Sequence, residues 1–359
     1  MDARDPEGAE APRARAVSHS EVILTEGPLE PTDRVGRPGV DVQGGGSPVG
    51  SPGSRAPHGL PLSRREFVRV SSFAAAGTVL CGRAPAAESS PPRRPFLPPF
   101  FALCLDTHDE KKRTLPEQAA LLKQLGYDGA GHLWLDQVGA RLQTLDAVGL
   151  KLFQIYLRAD LSPGAHPPYD ARLKEVLPRL LNRGTMLAVI LAGGKPSEAS
   201  QDPRAVEVVR EMAGMAEAAG VKIALYPHAG DWLERVEDAI RVTARVDRPN
   251  VGLMFNLCHW LRTDPQRYYR TLLERAMPRL FAVSINGADT FDDQPGWSRY
   301  IQPLDRGSFE VGALLRTLRQ LGYAGPIGLQ CYGLPGDARD HLARSMAAWR
   351  KLIAEANAS

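Results

Sequence analysis

The feature that most constrains this chain is an eightfold alternation. Short apolar runs of strand length recur between segments of helical periodicity, from Phe100 almost to the C-terminus. Runs this apolar read as parallel strands buried on both faces, with the helical segments as their covers. Strands are expected at 100–105, 130–135, 152–157, 186–191, 221–226, 251–257, 280–285 and 327–332. Helices are expected at 114–125, 136–148, 170–182, from 202 onward, and at 231–246, 264–277, 308–321 and 337–356. The first opens at Thr114-x-x-Glu117 with Pro116 in its first turn, a capping-box pattern. Eight such units in roughly 260 residues have the count and size of an α/β fold of the (β/α)8 TIM barrel type. A doubly wound open sheet usually has fewer strands and often a Gly-rich first turn, which this chain lacks. The expectation is a single barrel domain over 100–356, preceded by a disordered leader and a signal peptide.

Ahead of the barrel the composition changes. Residues 1–60 hold 10 Gly and 8 Pro, with no Lys and no aromatic residue. Such a stretch buries too little apolar surface to offset the entropy of ordering. It is expected to be a disordered leader, or a stretch assigned in error ahead of the protein proper. Residues 61–86 read as a twin-arginine signal peptide. They contain Ser63-Arg64-Arg65-Glu66-Phe67-Val68-Arg69, a weakly apolar run at 70–80, and the small-x-small site Ala84-Pro85-Ala86. This predicts export to the periplasm or another extracytoplasmic space. Residues 87–99 read as a Pro-rich linker. The run at 70–80 is too short to span a bilayer, and no membrane contact is expected of the mature chain. Lys+Arg 44 against Asp+Glu 41 gives +3, too small a bias to point to nucleic acid. Four cysteines are too few for a disulfide scaffold. Cys104, Cys258 and Cys331 read as small buried residues. Strands one and eight adjoin in a closed barrel, which leaves a Cys104–Cys331 bond geometrically conceivable.

In this fold the C-terminal strand ends carry the chemistry. Asp106 and His108 follow strand one, His132 and Trp134 end strand two, and Gln154, Tyr156 and Arg158 line strand three. Tyr226, His228 and Asp231 follow strand five; Asn256, His259 and Trp260 end strand six; Asn286 and Asp289 follow strand seven; Gln330 and Tyr332 end strand eight. Amides hydrogen-bond sugar hydroxyls in both directions, and aromatic faces cover the apolar side of a sugar ring. The expected partner is therefore a small carbohydrate. The long connection at 287–307 carries Trp297, Arg299, Tyr300 and Gln302 and reads as a binding loop or lid.

The motifs YPHAG on strand five, VGLMFNLCH on strand six, INGAD on strand seven and GLQCYG on strand eight resemble the xylose isomerase-like TIM barrel superfamily. That superfamily includes sugar phosphate isomerases and epimerases and AP endonuclease 2-like proteins. The stretch 302–309, QPLDRGSF, is similar to the turn before its seventh helix. The resemblance runs from about Phe100 to Leu352. It implies a divalent metal held by Glu, Asp, His and Glu, with the two Glu residues as acid and base. The matching positions here are Tyr226, Asn256, Asn286 and Gln330, while His259 keeps its place three residues after Asn256. Neutral oxygens hold Mg²⁺ or Mn²⁺ poorly, and Gln330 cannot shuttle a proton as a carboxylate does. A divalent metal remains conceivable on the imidazoles of His228, His259 and His108, with Asp106 or Asp289. The cofactor is otherwise open, and so is the oligomeric state.

Two functions follow. The first is an exported isomerase/epimerase-type enzyme, or a lyase-like relative, that moves a proton beside a sugar carbonyl. His228 and His259 are its expected catalytic residues. Asn256, Asn286, Gln330, Tyr226, Trp260, Trp297, Arg299, Asp106 and His132 are expected to bind substrate. The second is a non-catalytic sugar-binding barrel that has lost the family metal site. Phosphodiester hydrolysis on DNA would need metal-binding acids and a basic groove, which the sequence lacks.

Overall fold

A computed structural model describes residues 95–264, 268–290 and 296–358. The expected leader at 1–60, the signal peptide at 61–86 and residues 87–94 of the linker lie outside the described residues. The rest of the linker is tied down: Phe96 donates its N–H to Asn357 Oδ1 at 2.7 Å, and Asn357 Nδ2 returns a bond to Phe96 O.

Eight parallel strands close into a barrel in sequence order. They are β1 Phe100–Ala102, β2 Gly129–His132, β3 Lys151–Asp160, β4 Met186–Ala192, β5 Lys222–Leu225, β6 Val251–Asn256, β7 Leu280–Ile285 and β8 Ile327–Leu329. Closure is the pairing of Phe101 with Gly328, beside Phe101 with Gly129. Helices alternate with the strands: α1 Leu115–Leu125, α2 Val138–Ala147, α3 Leu173–Val176, α4 Asp202–Glu217, α5 Val236–Val246, α6 Leu257–Thr263, α7 Tyr269–Ala276, α8 Trp297–Tyr300, α9 Val311–Gln320 and α10 Ala338–Ala358. None of the described helices is long and apolar enough to cross a membrane.

The local reasons are visible. Thr114 donates its backbone N–H to Glu117 Oε2 at 2.8 Å, so α1 opens on its capping box. The helix expected over 170–182 is cut short. Pro178 has no N–H to continue the ladder, and a 3-10 turn at Leu177–Leu180 follows α3. The strand expected to run to Leu257 stops at Asn256, where α6 begins.

Side chains divide by strand alternation. One buried cluster fills the barrel with Phe101, Leu103, Tyr156, Met186, Tyr226 and Met254. Glycine makes room for it: a Cβ on Gly328 would sit 2.9 Å from both Phe101 and Leu103. The larger cluster packs the outer strand faces against the helices. Phe100 stacks on Trp349 of α10 with centroids 4.1 Å apart, which joins the first strand to the last helix. Trp349→Ala is expected to destabilise the fold by about 3–5 kcal/mol. Chemical denaturation checks it, and a loss under about 1 kcal/mol would mean that the stack does not anchor the helix.

Candidate functional site at the barrel mouth

The loop after β5 is held by its own backbone. His228 donates its N–H to Leu233 O at 2.9 Å, and Leu233 donates to Leu191 O at 3.0 Å, so the loop continues along β4. Fully buried Trp232 fixes it further by donating Nε1–H to Glu198 O. The turn between, Ala229-Gly230, brings Asp231 back under His228.

His228 Nδ1 lies 2.8 Å from Asp231 Oδ2, and Asp231 Oδ1 meets the Arg158 guanidinium from β3. The contact lacks hydrogen-bond geometry, so Nδ1 makes no hydrogen bond in the structure. Such contacts are often poorly aligned without ligand and tighten when it is present. Asp231 is 8% exposed while the His228 side chain is 32% exposed. A buried carboxylate therefore orients a half-open imidazole and leaves Nε2 for solvent or ligand.

His259 stands beside it, ring centroids 4.1 Å apart. The Ala229 N–H donates to His259 Nδ1 at 3.1 Å. That bond fixes Nδ1 as the acceptor, so the proton of the neutral ring is on Nε2. Burial, and then the neighbouring His228, hold the His259 pKa well below its ordinary value. No acceptor among the described residues takes its Nε2–H. Trp297 leans on the same ring at 5.1 Å.

The four positions of the implied metal do not fit a hard cation. Asn256 Nδ2 donates to the Tyr226 hydroxyl, and Asn256 Oδ1 faces the Cys258 thiol at 3.2 Å. Asn286 Nδ2 donates to Gly287 O and Tyr300 O. Gln330 Oε1 accepts the N–H groups of Cys331 and Tyr332. Burial pushes the Tyr226 hydroxyl well above its usual pKa, and the nearby thiols of Cys258 and Cys104 add to this. These donors are neutral and largely bonded to the protein itself; Asn286 Oδ1 is buried without a partner among the described residues, but it is a single neutral oxygen. Their chemistry does not fit the divalent metal that the resemblance implies at these positions.

The other expected residues fall elsewhere. Trp260 points outward among Phe255, Tyr269 and Phe309 and donates its indole N–H to Asp264. His132 is occupied on both nitrogens, by Asp136 O at 2.6 Å and by Arg141 Nε at 3.3 Å. Asp106 accepts from Gln118 and lies 3.5 Å from the buried Arg141. His108 pairs with His341 of α10, apart from His228 and His259. Arg299 bridges to Asp289, which also accepts from Gln302 and Ser308. These bonds fold residues 296–307 back onto β7. Cys104, Cys258 and Cys331 are buried free thiols, with no Cys104–Cys331 bond. Sequence reasoning gave no role to Asp231 and Arg158. The i, i+3 spacing of His228 and Asp231 was a signal for the first; nothing local signals the second.

Comparison with known proteins agrees with this architecture. The profile described as xylose isomerase-like TIM barrel matches residues 119–352, more than half of the chain. The D-psicose 3-epimerase of Clostridium cellulolyticum H10, solved with D-tagatose, is 17% identical. It aligns over 72% of this chain and 96% of its own, with a TM-score of 0.51. D-allulose 3-epimerase from Methylomonas sp., solved with D-allulose, gives 17%, 72%, 98% and 0.55 in the same order. A xylose isomerase-like TIM barrel protein from Mycobacterium smegmatis in complex with magnesium gives 17%, 73%, 97% and 0.55. At this identity the likeness is one of fold. No curated protein sequence matches the chain significantly.

The buried histidines set a pH response. His132 and His259 have lowered pKa values, desolvation being the largest cause for each. A folded pKa below the unfolded value of about 6.5 gives stability that is complete above pH 6.5 and lost as pH falls towards the folded values. The lowered carboxylates, such as Asp109 and Asp136, act only below their ordinary value of 3.8. The melting temperature is therefore expected to fall between about pH 7 and pH 5. A melting temperature unchanged or higher at pH 5 would contradict these neutral histidines.

Proposed function

The chain belongs to the xylose isomerase-like TIM barrel family, and on that premise we propose that it is an isomerase/epimerase-type enzyme acting on a small sugar. Its proton-transfer group is an imidazole. The observation that carries this reading is the chain Arg158–Asp231–His228 set against a neutral His259.

The chemistry follows from the nitrogens. His228 Nε2 takes a proton from the carbon beside a sugar carbonyl, and Asp231 stabilises the imidazolium that forms. Arg158 holds the other Asp231 oxygen and so fixes the carboxylate. His259 Nε2–H donates to the carbonyl oxygen as negative charge builds on it, as a neutral imidazole can. The imidazolium then returns the proton to the carbon skeleton. A base on one face delivers it readily to the former carbonyl carbon, while His259 gives its Nε2 proton to the former carbonyl oxygen and regains one from the adjacent hydroxyl, so the net change is an aldose–ketose interconversion. Trp297 beside His259 offers an aromatic face to the apolar side of the sugar ring. The solved epimerases that hold D-tagatose and D-allulose support a small carbohydrate as ligand.

We also propose that the twin-arginine pattern at 63–69 exports the enzyme, so that it acts outside the cytoplasm. A second reading, a sugar-binding barrel without turnover, is favoured by one observation: the amides of Asn286 and Gln330 are tied to backbone groups.

The test is conversion of D-allulose, D-tagatose and other ketoses by protein treated with EDTA. His228→Gln is expected to lower kcat by about 10²–10⁴-fold with KM little changed. Asp231→Asn is expected to lower kcat as well, through loss of the oriented tautomer. Sugar-induced thermal stabilisation without product in the wild type would sink the enzyme reading and uphold the binding one.

A further inference from the structure

On the far side of β8 from the barrel interior, three soft ligands meet that no part of the proposed reaction uses. His108 comes from the turn after β1, Cys331 from the turn after β8, and His341 from the start of α10. Their ligand atoms all lie within 4.8 Å of one another. They are 2%, 0% and 6% exposed. We propose that His108, Cys331 and His341 form a structural site for one thiophilic d10 cation, Cu(I) or Zn²⁺, which pins α10 to the barrel wall.

The position separates this site from the family's metal positions. Gln330 turns its amide towards the barrel mouth, whereas the next residue, Cys331, packs among the residues between the strands and the helices. None of the three residues stands at positions 226, 256, 286 or 330.

One imidazole is already set as a ligand. His108 donates Nε2–H to Leu103 O at 3.0 Å, which leaves Nδ1 as the lone-pair nitrogen. A ligating histidine is usually oriented in this way, its outer N–H held by a carbonyl. His108 Nδ1 then lies 2.7 Å from His341 Nε2, so the two rings share one proton. Binding moves the His341 proton from Nε2 to Nδ1, releases the Cys331 thiol proton to solvent, and spreads the nitrogens to about 3.3 Å, the separation set by metal–nitrogen bonds of about 2.0 Å at a tetrahedral angle. The rings are tilted by 57° with centroids 4.9 Å apart, so they can open around an ion without stacking.

Charge argues in the same direction. A buried thiolate needs a compensating cation, and a buried cation needs an anionic partner. Two neutral imidazoles and one thiolate around Cu(I) sum to zero. Thiolate with imidazole is also a ligand set that selects copper and zinc over hard cations such as Mg²⁺.

The experiment titrates the full-length reduced chain, without oxygen, with Cu(I) against a competing Cu(I) chelator and, separately, with Zn²⁺ against a zinc dye. One equivalent of either ion is expected to be retained, and the two arms tell which. Cys331→Ser and His341→Phe are expected to weaken retention by at least about a hundredfold, as removal of a ligand exceeds the effect of an outer-shell change. His259→Gln is expected to leave it unchanged. Because Cys331→Ser can unfold the chain, circular dichroism accompanies each variant. Absorption spectroscopy at the metal edge of the wild type is expected to find one sulfur and two nitrogens. Failure to hold either ion overturns the site, as does retention that survives both substitutions in folded protein. Neither result bears on the reaction proposed for His228.

Discussion

The arrangement rests on closure of the sheet. Once β1 pairs with β8, eight parallel strands must all end on one rim. Residues far apart in sequence then become neighbours with no contact designed for them individually. Arg158 and Asp231 stand 73 positions apart and touch because β3 and the β5 loop share that rim. Closure also sorts side chains: inward positions fill the barrel, and outward positions meet the helices.

The rim has replaced carboxylates with amides and a phenol, and the replacement is consistent in physical terms. Three carboxylates without a cation would repel one another in a buried space. Tyr226 and Asn256 instead bond to each other, and Asn286 and Gln330 close onto backbone groups. Most of the rim is thereby bonded to the protein itself, although Asn286 Oδ1 is buried without a partner among the described residues. Titratable groups move to one side, where His228, His259 and Asp231 share a small space. There burial keeps one imidazole neutral, and a carboxylate orients the other.

Much of the fold was legible in the sequence because parallel strands leave apolar runs and turns leave glycine and proline. β7 runs from Leu280 to Ile285 as its pattern predicts, and Thr114 caps α1 as its spacing predicts. The errors came where the period changes. β6 gives way to α6 at Leu257, so the side-chain direction switches from a two-residue to a 3.6-residue repeat. His259 therefore faces the mouth while Trp260, one residue on, faces the helix layer. Tertiary partners were out of reach: nothing near His108 in sequence points to His341, and nothing near His132 points to its enclosure by Arg141 and Asp136 O.

The central claim is that an oriented imidazole moves a carbon-bound proton at this rim without a metal. The most direct measurement incubates metal-stripped protein with D-allulose or D-tagatose in deuterium oxide and reads the sugar by NMR. The account expects deuterium at a carbon beside the carbonyl, at a rate unaffected by added Mg²⁺ or Mn²⁺. Exchange that appears only when a divalent metal is restored, or no exchange into any ketose, would contradict it.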